Sequence, residues 1–179
     1  MTERRMVDLL GYQAGLHVNV DPSLLRQIEE QAKLDGLDFR RFSVGQVVGD
    51  SDLYSLLEQV FEFPSSVTNW HAAADWMSDL EWIENPVGHV IVIDGVERLK
   101  QVNEQTFSRF IKLFPRAVEI FQQVGLQYHV IFLRADSPES SLLTQLREEA
   151  TRAIPSEATR RHTGRQYKPI PVIDHAAAR

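Results

Sequence analysis

Residues 88–94 read G-H-V-I-V-I-D, a run of β-branched side chains with no polar residue between His89 and Asp94. A strand wetted on one face alternates apolar and polar residues. One without alternation has to be covered on both faces, as the central strand of a parallel sheet is. The stretch therefore predicts a sheet lying between helices, with residues 90–93 near its centre. Residues 128–133, Y-H-V-I-F-L, repeat the pattern downstream as a last strand. Between the two, Phe107, Phe110, Ile111, Phe114, Val118 and Phe121 recur at spacings of three and four. That is the stripe of a long amphipathic helix, which Pro115 kinks or restarts and Gly125 stops. Upstream, residues 15–20 (G-L-H-V-N-V) alternate Leu16, Val18 and Val20 inward as a half-buried strand, and Asp21 with Pro22 opens a helix over 22–34 that Gly36 ends. A second strand falls near 37–44. Ser51 and Asp52 cap a helix that Pro64 closes, and a further helix spans 69–80. The order β-α-β-α-α-β-α-β predicts an α/β fold, a small, mostly parallel sheet packed with helices through right-handed crossovers.

At 179 residues, 43% hydrophobic and 25% charged, the chain has the composition of one globular domain with terminal extensions. The expected division is a domain over 15–133 and a C-terminal extension over 134–179. Within the extension, Leu142, Leu143, Leu146, Ala150 and Ala153 suit one short helix. Residues from 155 onward combine Pro, Arg and Thr with little periodic apolar surface, which predicts a basic, mobile tail. Were that tail ordered, residues 167–173 (Y-K-P-I-P-V-I) would pack as an extended strand. The absence of cysteine excludes a disulfide scaffold, a zinc ribbon and a thiol nucleophile. No apolar run approaches the roughly 20 residues that span a bilayer, and the charged first ten residues do not read as a signal peptide, so the expectation is a cytoplasmic protein with no membrane partner. Residues 1–151 carry 13 basic and 23 acidic side chains, whereas residues 152–179 carry 6 and 2. An acidic body repels phosphate backbones and attracts basic proteins, which argues against nucleic acid as a partner of the folded part and leaves the basic tail open.

Chemistry-bearing motifs are missing. Neither G-x-G-x-x-G nor G-x-x-x-x-G-K-[ST] follows a strand, and neither G-x-S-x-G nor H-E-x-x-H occurs, so a phosphate cradle, an acyl-transfer elbow and a zincin site have no foothold. The expectation is a protein that is not an enzyme and takes no cofactor. Asp94 reads as the cap of the turn into Gly95. His71 and Asp75 stand four apart on a helix, a spacing for two metal ligands, but no third ligand accompanies them and no metal is expected. The conspicuous segment is residues 66–82, S-S-V-T-N-W-H-A-A-A-D-W-M-S-D-L-E-W. On a helix, Trp70, Ala73, Met77 and Leu80 form a core stripe, while His71, Asp75 and Ser78 form another that is left for solvent or a partner. Asp79, Glu81 and Glu84 add negative charge near the helix C-terminus, where the dipole disfavours it.

Residues 69–82 resemble the signature of the barstar-like ribonuclease inhibitors, approximately N-W-D-A-L-x-D-x-L-x-D-L-x-W. The helix that opens at Ser51-Asp52-Leu53 and ends at Phe63-Pro64 is similar to the one preceding that motif. The resemblance spans about residues 34–133, and longer family members also resemble the chain from Gly15. It implies a barstar-like fold in which the motif helix and the loop before it plug the active site of a secreted ribonuclease. It places Asp75 at the acidic heart of the interface, with Asn69, Trp70, Ser78 and Asp79 on the same helix. Three departures accompany it. His71 stands where the family has its first Asp, Ala74 replaces an interface aromatic, and Ser66 and Val67 replace loop tyrosines. The implied function is that of an immunity-type inhibitor from a bacterial toxin–antitoxin pair, occluding a basic ribonuclease or other nuclease toxin through Asn69, Trp70, His71, Ala74, Asp75, Ser78 and Asp79. The alternative is a diverged barstar-fold protein–protein interaction module with no nuclease target.

Overall fold

The computed structural model describes residues 14–84, 87–134, 141–153 and 168–176. Among these residues, strands β1 (Gly15–Val20), β2 (Asp38–Ser43), β3 (Gly88–Asp94), β4 (Gln127–Leu133) and β5 (Val172–Asp174) form one sheet in the order β2-β3-β4-β1-β5. All neighbouring pairs are parallel. The helices are α1 (Leu25–Leu34), entered through a 3-10 turn at Pro22–Leu24, then α2 (Asp50–Phe61), α3 (Trp70–Asp79), α4 (Val96–Val102), α5 (Glu104–Gln123) and α6 (Ser141–Ala153).

The V-I-V-I run occupies an inner strand, as its lack of alternation demands. Val90 and Val92 face a smaller core built with Ile28 and Ala32 of α1. Ile91 and Ile93 face a larger core filled by Leu53 and Leu57 of α2, Met77 of α3, Phe110 and Phe114 of α5, and Leu146 of α6. One helix therefore covers one face and the remaining helices crowd the other.

Several local expectations are corrected. β1 is covered on both faces rather than half-buried; Asn19 adopts a left-handed φ of 57° and the pairing with β4 shifts register between His17 and Val20, which turns Val20 to the face opposite Leu16 and Val18. Leu16 and Val18 lie in the larger core and Val20 in the smaller one, and His17, between His129 and His175, is only 2% exposed. Helix α2 begins at Asp50 after Gly49, ahead of the expected Ser51-Asp52 cap; the Asp52 carboxylate instead accepts the Val48 N–H at 3.1 Å. Helix α5 runs unbroken past Pro115. A proline removes only one intrahelical donor, and here Phe114 and Pro115 are buried where core packing holds the helix together. The short helix α4 has no counterpart among the expected elements, since its seven residues bury only Val96 and Leu99 and show no sustained period.

Within the expected tail, residues 168–176 take the extended course named as its alternative: Ile170 is 6% exposed, the Leu16 N–H donates to the Pro171 carbonyl at 2.9 Å, and the His175 N–H donates to the Val18 carbonyl at 3.1 Å. Next to β4, β1 would otherwise present a row of unpaired main-chain groups, and β5 satisfies them. Residues 155–167 and 177–179 of that expected tail lie outside the described residues.

The β3–β4 ladder starts at a point of close contact. Gly88 has φ +143°, and a Cβ there would run into the Gln127 carbonyl oxygen. Gly88→Ala is expected to lower unfolding free energy by about 2–4 kcal/mol, since both the φ and the contact must be relieved. Gly125→Ala, at φ +76° but in open space, should cost about 1 kcal/mol. Urea unfolding at neutral pH measures both.

Candidate functional site

Helix α3 owes its limits to two side chains. Asn69 has extended dihedrals and its Oδ1 accepts the Ala72 N–H at 2.9 Å, which satisfies one of the orphan donors of the first turn. At the other end Leu80 takes a left-handed φ of 52° and its N–H donates to the Trp76 carbonyl. A non-glycine residue in that conformation is strained, and Leu80 is held there because its side chain is 2% exposed in the core. Between these ends Ala73 and Met77 are buried, and the Tyr128 hydroxyl donates to the Met77 carbonyl at 3.3 Å. One stripe of α3 is thus fixed against α5 and the sheet.

The first turn of α3 is tied down by a carboxylate. Asp50 accepts hydrogen bonds from Trp70 Nε1 at 2.8 Å and from the Thr106 hydroxyl at 2.5 Å, and pairs with the Arg109 guanidinium at 2.6 Å. Burial works to raise its pKa, but the donors from Thr106, Trp70 and Arg109, together with the Arg109 charge, outweigh it and hold the carboxyl below its ordinary value. Tyr54 packs edge-on against Trp70, with centroids 5.2 Å apart. The loop leading into α3 is anchored by Val67, whose side chain is buried and whose N–H donates to the Glu58 carboxylate. Beyond the helix, Trp82 Nε1 donates to the Phe61 carbonyl at 2.8 Å and the ring meets Trp76 edge-on at 5.0 Å. Both flanks of α3 are therefore fastened to the end of α2 or to the core.

The seven residues expected at an interface divide accordingly. His71, Asp75 and Asp79 are exposed on the outer side of the helix, and Asn69 is exposed at the helix start although its side chain is used as the cap. Ala74 and Ser78 are half-buried, the Ser78 hydroxyl donating to the Ala74 carbonyl at 2.8 Å. Trp70 is half-buried, and its indole N–H is committed to Asp50. His71, Asp75 and Ser78 share a stripe, as their i, i+4, i+7 spacing requires, with Asp79 at its edge. Among the described residues, no ion pair engages Asp75, Asp79, Glu81 or Glu84. His71 and Asp75 gain no third ligand: no group of three His, Cys, Asp or Glu side chains suited to a metal ion occurs among the described residues. Asp50, Thr106 and Arg109 carry no sequence signal of their role, because Asp50 lies 20, 56 and 59 positions from the donors it gathers and no local pattern marks it.

A parallel α/β sheet with two helices between its first pair of adjacent strands, the second of them showing an acidic face, defines the structural class. Within it, residues 37–133, from the start of β2 to the end of β4, match the family model described as Barstar (barnase inhibitor). The chain belongs to the barstar family. β1, α1, α6 and β5 lie outside the matched segment. No curated protein matches the chain. Among solved structures, the Walker-type ATPase PABY2304 of Pyrococcus abyssi is similar at 10% identity over 83% of this chain. The chain spans 46% of that protein's length, at a TM-score of 0.38. No helix among the described residues is long and apolar enough to cross a membrane.

Asp50→Ala is expected to lower stability by about 2 kcal/mol, through lost hydrogen bonds and an uncompensated Arg109, and to shift tryptophan emission as Trp70 loses its acceptor. The folded-state carboxyl is depressed, so its contribution is complete above the unfolded carboxylate pKa of about 4 and is lost as pH falls through the folded value. The stability gap between wild type and variant should therefore narrow from about pH 5 towards about pH 3. Asp75→Ala, on the outer face, should change stability by no more than about 0.5 kcal/mol. Chemical denaturation with fluorescence detection reads these effects.

Proposed function

We propose that the outer face of α3, bearing His71, Asp75, Ser78 and Asp79, is a docking surface for a basic protein, and that the chain acts as an immunity-type inhibitor occluding a ribonuclease or other nuclease toxin. The carrying observation is that the family's acidic interface position, Asp75, lies on that face and outside every ion pair among the described residues. Carboxylates outside ion pairs on a rigid helix form an electrostatic target that costs little to organise on binding. The surrounding charge supports the reading, since residues 1–151 hold ten more acidic than basic side chains and would steer a cationic partner. An active site that binds phosphodiesters presents arginine and lysine side chains, and a carboxylate on a helix fits such a site as a substitute for phosphate.

His71 and Ala74 favour a second reading, an interaction module of the same fold without a nuclease target. An imidazole lacks the negative charge of the family's aspartate, and Ala74 lacks an aromatic surface to bury. Titration calorimetry against a basic ribonuclease of the barnase type and against other basic nucleases separates the two. The inhibitor reading expects binding that weakens with added salt, is accompanied by loss of nuclease activity, and falls by more than about 2 kcal/mol in Asp75→Ala. Barstar itself is a known case of such a charge hot spot, so the figure is the general threshold for one and not a value obtained from this surface. Glu30→Ala, on α1 across the sheet, should leave binding unchanged. Binding without inhibition, or equal effects of the two substitutions, would favour the module.

A further inference from the structure

Three histidines far apart in sequence meet on the sheet at the junction of β4, β1 and β5. His17 Nδ1 lies 3.1 Å from His175 Nε2, His17 Nε2 lies 3.2 Å from His129 Nδ1, and His129 Nε2 lies 3.4 Å from the Gln127 side-chain oxygen. His17 and His129 are buried, at 2% and 0% exposure, and His175 is half-buried. The three rings do not converge on one point, because His17 spends one nitrogen on each neighbour, so the arrangement is a chain rather than a metal site.

We propose that this chain is a proton-operated latch that holds β5 on β1 near neutral pH and releases it in acid while the rest of the sheet stays folded.

Each link needs one donor and one acceptor, so the tautomers are coupled. With Gln127 accepting from His129 Nε2–H, His129 Nδ1 must accept from His17 Nε2–H, and His17 Nδ1 must accept from His175 Nε2–H. The single lone pair left over is His175 Nδ1, at the half-buried end. One proton enters there without breaking a link. A second proton has to set one N–H against another at about 3 Å or place two imidazolium charges in contact, and the chain then opens.

The surroundings do little to relieve this. β4 contributes His129 and neutral Gln127. β5 contributes Asp174, whose carboxylate is engaged by the Asn19 amide at 2.8 Å and acts to raise His175. From the opposite face, α5 brings Gln122, which donates to the Ala14 carbonyl, and α6 brings Arg147, whose charge lowers Asp174. The Asp21–Arg134 pair closes the far end of β1 and β4 at 2.9 Å. Burial, and then the neighbouring His129 and His175, keep His17 well below the ordinary imidazole value; burial pushes His129 down to about 4 and lowers His175 against the pull of Asp174. Depressed folded-state values mean that the closed form binds fewer protons than the open one. The closed form is therefore fully favoured above the free imidazole pKa of about 6.5 and loses ground as pH falls below it. Apart from the histidines, β5 is held by its three-residue pairing with β1, by the Asn19–Asp174 bond and by Ile170 and Val172 against the larger core, and none of these holds depends on an imidazole.

The test is amide hydrogen exchange by NMR on the full chain from about pH 7.5 to about pH 4.5, a range that brackets the free imidazole value, corrected for intrinsic rates. The reporters are the Leu16 and His175 N–H groups, which bond across the latch, and the reference is the β3 amides. Opening that exposes His17 and His175 takes up as many as two protons, so protection of the two reporters should fall by up to about 100-fold per pH unit below about pH 6.5. The β3 amides should keep theirs. In His175→Gln, which donates to His17 but does not titrate, the slope should drop by about tenfold per pH unit. His17→Gln should flatten it likewise, and if that buried variant fails to fold, the half-buried position 175 still decides. Reporters that track β3 at every pH, protection indifferent to pH, or an unchanged slope in His175→Gln would overturn the latch.

Discussion

An all-parallel sheet has no face it can leave to water, and its crossovers are right-handed. The path through the strand order β2-β3-β4-β1-β5 meets both conditions by reversing once. The chain leaves β1, passes over to the edge at β2, and then advances through β3 and β4 and beyond β1 to β5. That single reversal places α1 by itself on one face and the other helices together on the opposite one. The covering of β3 on both sides, the crowding around α5 and the outer position of α3 all follow from it.

α3 packs as an outer helix: Ala73 and Met77 are buried, Trp70, Ala72, Ala74 and Trp76 are partly covered by the core, and His71, Asp75 and Asp79 are left exposed. What makes the outer face usable is the rigidity beneath it. Asp50 draws Trp70, Thr106 and Arg109 together, Val67 pins the preceding loop, and Trp82 holds the segment that follows. The carboxylates of Asp75 and Asp79 therefore stand on a helix fixed at both ends. Affinity drawn from such groups loses little to the ordering of the binding surface.

The family segment and its additions meet in the histidine chain. His129 lies within residues 37–133, whereas His17 and His175 come from the two strands outside it, His175 directly following β5. Buried imidazoles in a hydrogen-bonded row give the added strands a geometric register, and they make that register depend on proton count.

The sequence by itself determined the elements whose patterns are strong and local. The unbroken V-I-V-I run marks a covered strand over Gly88–Asp94, the Phe107 to Phe121 spacing marks a long helix, and the N-W-H-A-A-A-D-W motif marks both the position of α3 and its outward stripe. Periodicity reports which face of an element is apolar, and these elements settle their own faces. Only the tertiary structure decided what depends on pairing at a distance. β5 is a three-residue strand at the end of a segment whose sequence left its order open, and the open edge of β1 makes it a strand. Asp50 becomes the tether of α3 only when donors 20, 56 and 59 residues away converge on it. His17, on a strand that reads as half-buried, is enclosed because His129 of β4 and His175 beside β5 close on it from either side. In each case the physical cause is a hydrogen bond supplied by another part of the chain, which local sequence does not encode.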